Sequence, residues 1–599
     1  MVERASRDAF DPAGLSERLG ALVGRMGRIA ARWLERATRE DEAFAVPAPE
    51  VVAETLEALA RALLSDPDRF AAAILDWHGR LFALLGRQLA RRIDPDLPAF
   101  YEPEPADRRF ADPDWSEDPR FDTLKQVYLM TCAWLRELVA TAPGLDAKTR
   151  ARAAFYVRLA LEALSPANHP ATNPVVLREA LASRGETLLR GLERLVLDLE
   201  RGGGRLPPAP GRTDAFVLGR DIATTPGAVI FETELAQLIQ YAPTTETVFA
   251  RPLLIVPPWI NKYYILDLRP RNSLVRYLVD NGFTVFVLSW VNPGEDLAHK
   301  TFEDYLREGP LAAIEAIARA TGERRLNLVG YCLGGTLAAC LLAHLWARGE
   351  ERRVASATFL TTMLDFAEPG ELGVFIDERQ LELLERHMAR KGYLEARWMQ
   401  QVFSLMRAND LVWSFIVQQY LLGREPPPFD LLHWNADGTR MPYMMHKFYL
   451  RQCYLENRLV EPGAITLLGT PIDLGRIATP AYFLSTREDH IAPWRSTYAG
   501  ARRLSGPVRF VLAGSGHIAG VVNPPEARKY GYWTRAVLPP DPEAWLARAR
   551  FRPGSWWPHW RAWLARFGGR KVPARPPGAG PLPAIEPAPG RYVRMRADD

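Results

Sequence analysis

Cysteine is scarce in this chain: Cys132, Cys332, Cys340 and Cys453 are widely spaced in 599 residues. That excludes a disulfide framework and fits a reduced compartment. No CxxC pair or Cys–His cluster gives reason to expect a metal or another cofactor. Charge of one sign is missing too. Seventy-five basic residues against 71 acidic leave a net charge of +4, which makes no case for nucleic acid as a partner. No apolar run approaches the length needed to cross a bilayer, so no transmembrane segment is expected. The first residues lack the apolar core of a secretion signal. No internal repeat is present. What the chain does have is length and an apolar content of 48%, enough for two or three structural units with sizeable cores.

The most informative stretch runs from Arg325 to Thr336. An apolar run, Leu326 to Val329, meets Gly330; Cys332 follows, then Gly334 and Gly335, then the apolar helical stretch Leu337 to Leu345. This spacing is that of a nucleophile elbow, with cysteine where serine is usual. A sharp strand-to-helix turn pushes the middle side chain outward, and the small neighbours let two backbones approach. The helix that follows sets amides and a positive dipole end near a thiolate. The plain alternative is a buried cysteine in a glycine turn.

A nucleophile needs a base, and the base an orienting acid. On an α/β-hydrolase sheet they follow in the order nucleophile, acid, histidine. Ala481 to Leu484 is a short apolar run leading to Asp489; Val508 to Ala513 leads through Gly514-Ser515-Gly516 to His517. Both groups fall just past predicted strand ends, where open α/β sheets build their sites. Glu488 and His490 adjoin Asp489 and compete with it. Asp489 better fits a turn, and His490 shares the acid's loop instead of having its own. The expected triad is therefore Cys332, Asp489 and His517. For the oxyanion, the amide of Leu333 is the default donor. The second donor is expected from the loop after Leu253 to Val256, where two prolines leave Trp259 or Ile260. Asp304 and Tyr305, ahead of the nucleophile strand, read equally as capping and packing residues.

Along the chain, residues 1–201 read as a helical front domain, with 1–100 its variable part. A basic amphipathic segment, Leu19 to Leu34, lies within residues 12–40 and suits either packing on its own domain or an interface. Residues 202–211, rich in glycine and proline, read as a linker. From 212 to 599, strand and helix patterns alternate as in a doubly wound, mostly parallel sheet. Phe216–Leu218 and Ala228–Phe231 read as an early antiparallel pair. Residues 366–468 break the alternation with helical, aromatic sequence. They are expected to form an inserted cap that shields Cys332 from water. The tryptophan-rich tail, Trp545 to Trp563, reads as packing, with proline-rich extended sequence beyond Lys571.

These motifs together resemble the class I polyhydroxyalkanoate synthases. The resemblance runs from about residue 100 to 596. It rests on Gly330-Tyr331-Cys332-Leu333-Gly334-Gly335, on Pro257 to Leu268 and on Phe283 to Trp290. It rests also on Arg407 to Trp413, Leu431 to Asn435, Arg487-Glu488-Asp489-His490, Gly514 to Gly520 and Gly554 to Pro558, with Ser165 to Asn168 and Thr172 to Pro174. Trp259 stands where a smaller residue is common, His169 where an aromatic is frequent, and the first hundred residues match poorly.

The resemblance implies an α/β-hydrolase fold and an acyltransferase. Cys332 would accept a 3-hydroxyacyl group from coenzyme A as a thioester, and His517 would move protons. Asp489 would orient His517 or help it activate the attacking hydroxyl. Coenzyme A would be part of the substrate and a product, not a cofactor. The partners implied are 3-hydroxyacyl-CoA, the growing polyester, the surface of cytoplasmic polyester granules and a second copy in a homodimer. The rivals are a thioesterase or acyltransferase with the same triad, a polyester depolymerase, and a noncatalytic granule scaffold. An intact triad argues against the scaffold.

Overall fold

Six apolar runs form the centre of a large sheet: Leu253–Val256 (β3), Val285–Trp290 (β4), Leu326–Tyr331 (β5), Val354–Leu360 (β6), Ala481–Thr486 (β7) and Val508–Ala513 (β8). In the computed structural model, which describes residues 17–18, 20–29, 45–94, 96–105, 107–206, 215–425 and 428–597, these six are mutually parallel in the order β8-β7-β6-β5-β3-β4. Antiparallel strands extend both edges. Gly227–Glu232 (β1), Ala236–Tyr241 (β2) and Glu586–Pro587 (β11) lie beyond β4; Gly531–Thr534 (β9) and Arg550–Pro553 (β10) lie beyond β8. The central strands read as continuous apolar runs because both faces are covered. Leu254, Leu328, Phe359 and Phe483 enter one core, and Leu253, Val329, Tyr482 and Leu484 the other. The helix Leu333–Ala347 is buried from Leu333 through Leu345, so it is apolar all round and not amphipathic. The expected α/β-hydrolase sheet preceded by a helical domain is the fold observed.

The early strand pair differs from the expectation. β1 pairs with β2, with a bulge between Val229 and Phe231; Leu218 forms only an isolated bridge with Ile222. Polar residues hide β2 in the sequence. Gln237 and Gln240 are buried within it, and their amides donate to Glu232 at 2.7 Å, to Glu586 at 2.5 Å and to the Arg575 carbonyl at 2.8 Å.

The chain divides into two compact units, residues 1–210 with 401–427, and residues 211–400 with 428–599. In the first unit, proline opens the helices Pro67–Ile93, Pro119–Thr141 and Pro174–Ala182. Asp66, Asp118 and Asn173 cap them by accepting backbone N–H bonds, since proline at the first position forfeits only a donor that has no helical partner. Residues 20–29 are helical. There Leu22 and Ile29 are buried against Leu189 and Val196, and Arg25 pairs with Glu200 at 2.5 Å. Leu19, residues 12–16 and 30–40, and residues 207–211 of the expected linker lie outside the described residues. Segment 401–427 packs on the helix Glu186–Arg201. A Cβ on Gly191 would fall 2.0 Å from the Tyr420 carbonyl, and the Tyr420 hydroxyl donates to Asp198 at 3.0 Å.

In the second unit, β6 and β7 are separated by the inserted residues. These include helices Glu378–Lys391, Asp430–Ala436 and Tyr443–Phe448, then the π-helical turn Tyr449–Leu455. The tail tryptophans are buried: Trp545, Trp556, Trp557 and Trp560 are at most 1% exposed. Lys571–Pro573 pairs with Thr247–Phe249 in a small separate sheet.

Candidate active site

β5 ends at Tyr331, and the chain turns sharply into the buried helix. Cys332 sits in the turn at φ 51° and ψ −122°, a conformation costing about 1–3 kcal/mol that surrounding structure must hold. Its N–H donates to the Leu360 carbonyl on β6 at 2.8 Å. Glycine is required on both sides. A Cβ on Gly330 would lie 2.3 Å from the Gly335 Cα, and one on Gly335 would lie 2.0 Å from the Thr362 hydroxyl oxygen. Cys332 is partly accessible, while Cys132, Cys340 and Cys453 are buried.

Asp489 follows β7 by three residues. One carboxylate oxygen accepts the Ile491 and Ala492 N–H groups at 2.9 and 2.8 Å; the other accepts the Thr486 hydroxyl at 3.2 Å. That second oxygen also meets Nδ1 of His517 at 2.7 Å. His517 follows β8 and is 5% exposed. Cys332 lies near enough for its charge to act on the ring, and with Nδ1 engaged by Asp489, Nε2 is the ring nitrogen left to serve the sulfur. Burial opposes the imidazolium, but the charges of Asp489 and Cys332 and the hydrogen bond to Asp489 outweigh it, raising its pKa to about 10. Tyr331 stacks on the ring with centroids 5.8 Å apart and donates its hydroxyl to the His517 carbonyl at 3.4 Å. Trp556 and Trp557 tie down the loop through Nε1 bonds to the carbonyls of Gly520 and Val521, at 3.0 and 2.9 Å.

The structure thus brings Cys332, Asp489 and His517 together. The competitors separate from Asp489 by exposure: Glu488 is exposed, His490 half-buried, and only Asp489 has a buried carboxylate against His517. Leu333 is the first residue of its helix, so its N–H belongs to the turn that has no intrahelical acceptor. The loop holding Trp259 and Ile260 starts beside that helix. A Cβ on Gly334 would lie 2.2 Å from the Val256 carbonyl and 2.6 Å from that of Pro257. Trp259 is buried among Tyr305, Trp290 and Phe302, with ring centroids 4.6, 5.4 and 6.1 Å away. Asp304 closes a capping box with Thr301, and Tyr305 packs; neither is shown touching the triad.

Sequence reasoning passed over Tyr331, Thr486, Tyr449 and Tyr454. Tyr331 lay inside the cysteine box, and Thr486 ended the acid strand. Tyr449 and Tyr454 belong to the insertion. Burial pushes both phenols up, and the nearby Cys332 sulfur adds to it. Their spacing of five misses the α-helical face pattern but suits the π-helical turn that carries Tyr449. Among the described residues no group of three or more His, Cys, Asp or Glu is placed to hold a metal ion, and no helix is long and apolar enough to cross a membrane.

Comparison with known proteins matches this geometry to a family. The family model described as the Poly-beta-hydroxybutyrate polymerase (PhaC) N-terminus matches residues 106–278, and that of the alpha/beta hydrolase fold matches 251–524. The poly(3-hydroxyalkanoate) polymerase of Methylorubrum extorquens is 48% identical over 99% of this chain and 95% of its own length. The poly(3-hydroxyalkanoate) polymerase subunit PhaC of Rhizobium meliloti is 46% identical over 98% and 96%. That of Cupriavidus necator is 46% identical over 82% and 83%. With near-full-length identity at this level and the cysteine elbow, acid and histidine set on a hydrolase sheet, the chain belongs to the poly(3-hydroxyalkanoate) polymerase family.

Proposed function

We propose that this chain makes polyester by covalent acyl transfer through Cys332. The activity class is the family's: an acyltransferase that moves 3-hydroxyacyl groups from coenzyme A thioesters onto a growing polyhydroxyalkanoate and releases free coenzyme A. The observation that carries the mechanism is the position of His517, bonded through Nδ1 to a buried carboxylate and near enough to Cys332 for the two to act on each other electrostatically. His517 takes the thiol proton, and the thiolate attacks the acyl carbonyl carbon. The resulting oxyanion is held by the Leu333 amide and by an amide of the Trp259–Ile260 loop. As it collapses, the carbon–sulfur bond to coenzyme A breaks, and the His517 proton goes to the departing thiolate. The acyl group is left on Cys332. The 3-hydroxyl of an incoming unit then attacks that thioester. Its proton passes to His517, the ester bond forms, and the Cys332 thiolate is released. Asp489 keeps His517 in the tautomer and orientation both steps require.

Of the expected cap, residues 366–400 and 428–468 serve as the cap in this reading, with Tyr449 and Tyr454 near Cys332 supporting that assignment. A cap suits the chemistry, because water competes with the hydroxyl for the acyl-thioester. We place the enzyme in the cytoplasm at the surface of polyester granules, as a homodimer.

Incubation with a labelled 3-hydroxyacyl-CoA tests the proposal. Label on the peptide containing Cys332, with coenzyme A release and chloroform-soluble polyester, is the expected result. Free hydroxy acid without polymer would make the chain a hydrolase. Label on Cys340 or Cys453 would overturn the assignment of the nucleophile.

A further inference from the structure

A short stretch of the insertion is bonded, residue by residue, to the loop proposed above to supply the second oxyanion amide. The Thr439 hydroxyl donates to the Trp259 carbonyl, and the Thr439 N–H donates to the Ile260 carbonyl at 3.0 Å. Asn261 and Gly438 form an antiparallel bridge. The Trp434 indole N–H donates to the Lys262 carbonyl at 2.7 Å. Beneath these contacts, the Lys262 ammonium, its side chain 2% exposed, pairs with Asp437 at 2.7 Å, and the Tyr264 hydroxyl donates to the other Asp437 oxygen at 2.9 Å. The carbonyls of Trp259, Ile260 and Lys262 are therefore all occupied, and Asn261 is bridged, from residues 434–439 far downstream in the chain.

The planarity of the peptide bond turns these contacts into a statement about amides. In a trans peptide the carbonyl and the next residue's N–H point in opposite directions. A Thr439 hydroxyl holding the Trp259 carbonyl fixes the Ile260 N–H away from Thr439, and the bond to the Ile260 carbonyl does the same for Asn261. Pro257 and Pro258 contribute no N–H, and the Pro257 carbonyl is held by the Trp290 indole at 2.9 Å. Both sides of the loop are thus pinned, one by the sheet and one by the insertion. Ile260 and Cys332 pack against the same core.

We infer that the Asp437–Thr439 turn is a positioning element for the oxyanion site, with Thr439 setting the direction of the Ile260 amide and Asp437 holding the turn through Lys262 and Tyr264. The inference rests on the reading that Cys332 is acylated and that this loop supplies the second oxyanion donor. On that basis the insertion does more than exclude water: its seating completes the electrostatic site. Thr439 is a positioning residue and touches no reacting atom.

The test compares Thr439→Val, Thr439→Ser and Asp437→Asn with the wild type, as full-length enzyme. Four quantities are read: the burst rate of coenzyme A release from a 3-hydroxyacyl-CoA, KM, the rate of Cys332 alkylation by iodoacetamide, and the thermal midpoint. Thr439→Val removes the donor and nearly preserves shape. Its burst rate should fall about tenfold, less than the roughly hundredfold or greater loss that follows removal of an oxyanion donor itself, because the amide is misdirected and not removed. KM and the alkylation rate should stay within about twofold. Thr439→Ser keeps the hydroxyl and should restore most of the burst, and Asp437→Asn should slow it in the same selective way. A normal burst in Thr439→Val would overturn the inference. So would a fall in step with alkylation and thermal midpoint, or a failure of serine to rescue. Absence of label on Cys332 in the wild type would instead overturn the nucleophile assignment, and this inference with it.

Discussion

The Asp489 carboxylate faces the His517 imidazole at 2.7 Å while its other oxygen is occupied by the N–H groups of Ile491 and Ala492. The acid is thereby held from both sides and cannot swing away when His517 changes charge. Asp489→Asn should leave the fold intact, because the amide oxygen can still accept from the backbone. Its NH2 group, however, would face Nδ1 and favour the wrong tautomer. Coenzyme A release should fall about a thousandfold or more, as in other triads that lose the carboxylate. Kinetic assay of the purified variant beside its circular dichroism spectrum checks this; near-normal turnover would point to another acid.

The same pair makes a pH prediction. The pKa of His517 is raised to about 10, with Asp489 and Cys332 overcoming burial. A raised folded value means the imidazolium contributes stability that is fully present below the ordinary histidine range. That contribution is lost as pH rises toward 10. The wild type should therefore have a higher thermal midpoint than Asp489→Asn near pH 6, and the difference should shrink steadily between pH 7 and 10. Cys332→Ala removes the sulfur that helps hold the proton, so the His517 resonance should titrate at lower pH in that variant. Thermal scans across the pH range, with NMR of labelled histidine, measure both.

The elbow glycines separate two kinds of close approach. A Cβ on Gly330 would meet backbone, the Gly335 Cα at 2.3 Å, and nothing there can move aside cheaply. A Cβ on Gly335 would meet the Thr362 side chain, at 2.0 Å from its hydroxyl oxygen. Both alanine variants should lose stability, by about 1–3 kcal/mol or more, and slow the alkylation of Cys332. Adding Thr362→Gly should recover much of the loss for Gly335→Ala and none for Gly330→Ala. Thermal midpoints of the single and double variants decide it, and equal recovery in both would contradict the geometry.

Much of this site is legible in the sequence because strand ends are. β3 and β8 have the bounds their apolar runs predict, Leu253–Val256 and Val508–Ala513, and the chemistry sits in the turns that follow such runs. The parts that stay hidden depend on contacts distant in the chain. β2 is masked by Gln237 and Gln240, whose burial is tolerable only because Glu232, Glu586 and the Arg575 carbonyl satisfy them. The approach of Tyr449 and Tyr454 to Cys332 depends on a π-helical turn that no apolar periodicity announces. Thr439 bonds the Trp259 loop from 180 residues away, and no local pattern carries that pairing. Segment 401–427 looks continuous with its helical neighbours, yet it packs with the front helices through Gly191 and Tyr420.

The root of the insertion offers the last prediction. Asp365, five residues past β6, uses one carboxylate oxygen to bind Arg503 at 2.6 and 3.1 Å and the other to accept the Asn457 side-chain N–H at 3.0 Å. Burial alone would raise its pKa; the Arg503 and Asn457 hydrogen bonds lower it, so the carboxylate is charged. Asn457 in turn accepts the Phe366 N–H at 2.8 Å and donates its own N–H to the Cys453 carbonyl at 3.0 Å. The two ends of the insertion are thus closed on each other beside the turn carrying Tyr449 and Tyr454. Asn457→Asp keeps the left-handed backbone at φ 51° accessible, but it sets a second carboxylate against Asp365. Repulsion should open the closure, speed amide exchange across residues 443–457, and raise the ratio of free hydroxy acid to polyester severalfold, as water reaches the acyl-thioester. Asp365→Asn in the same chain exchanges acceptor for donor and should return both readings toward wild type. Hydrogen exchange by mass spectrometry, with chloroform extraction of products, measures the pair. An Asn457→Asp enzyme with unchanged exchange and unchanged product ratio would show that this contact does not govern access to Cys332.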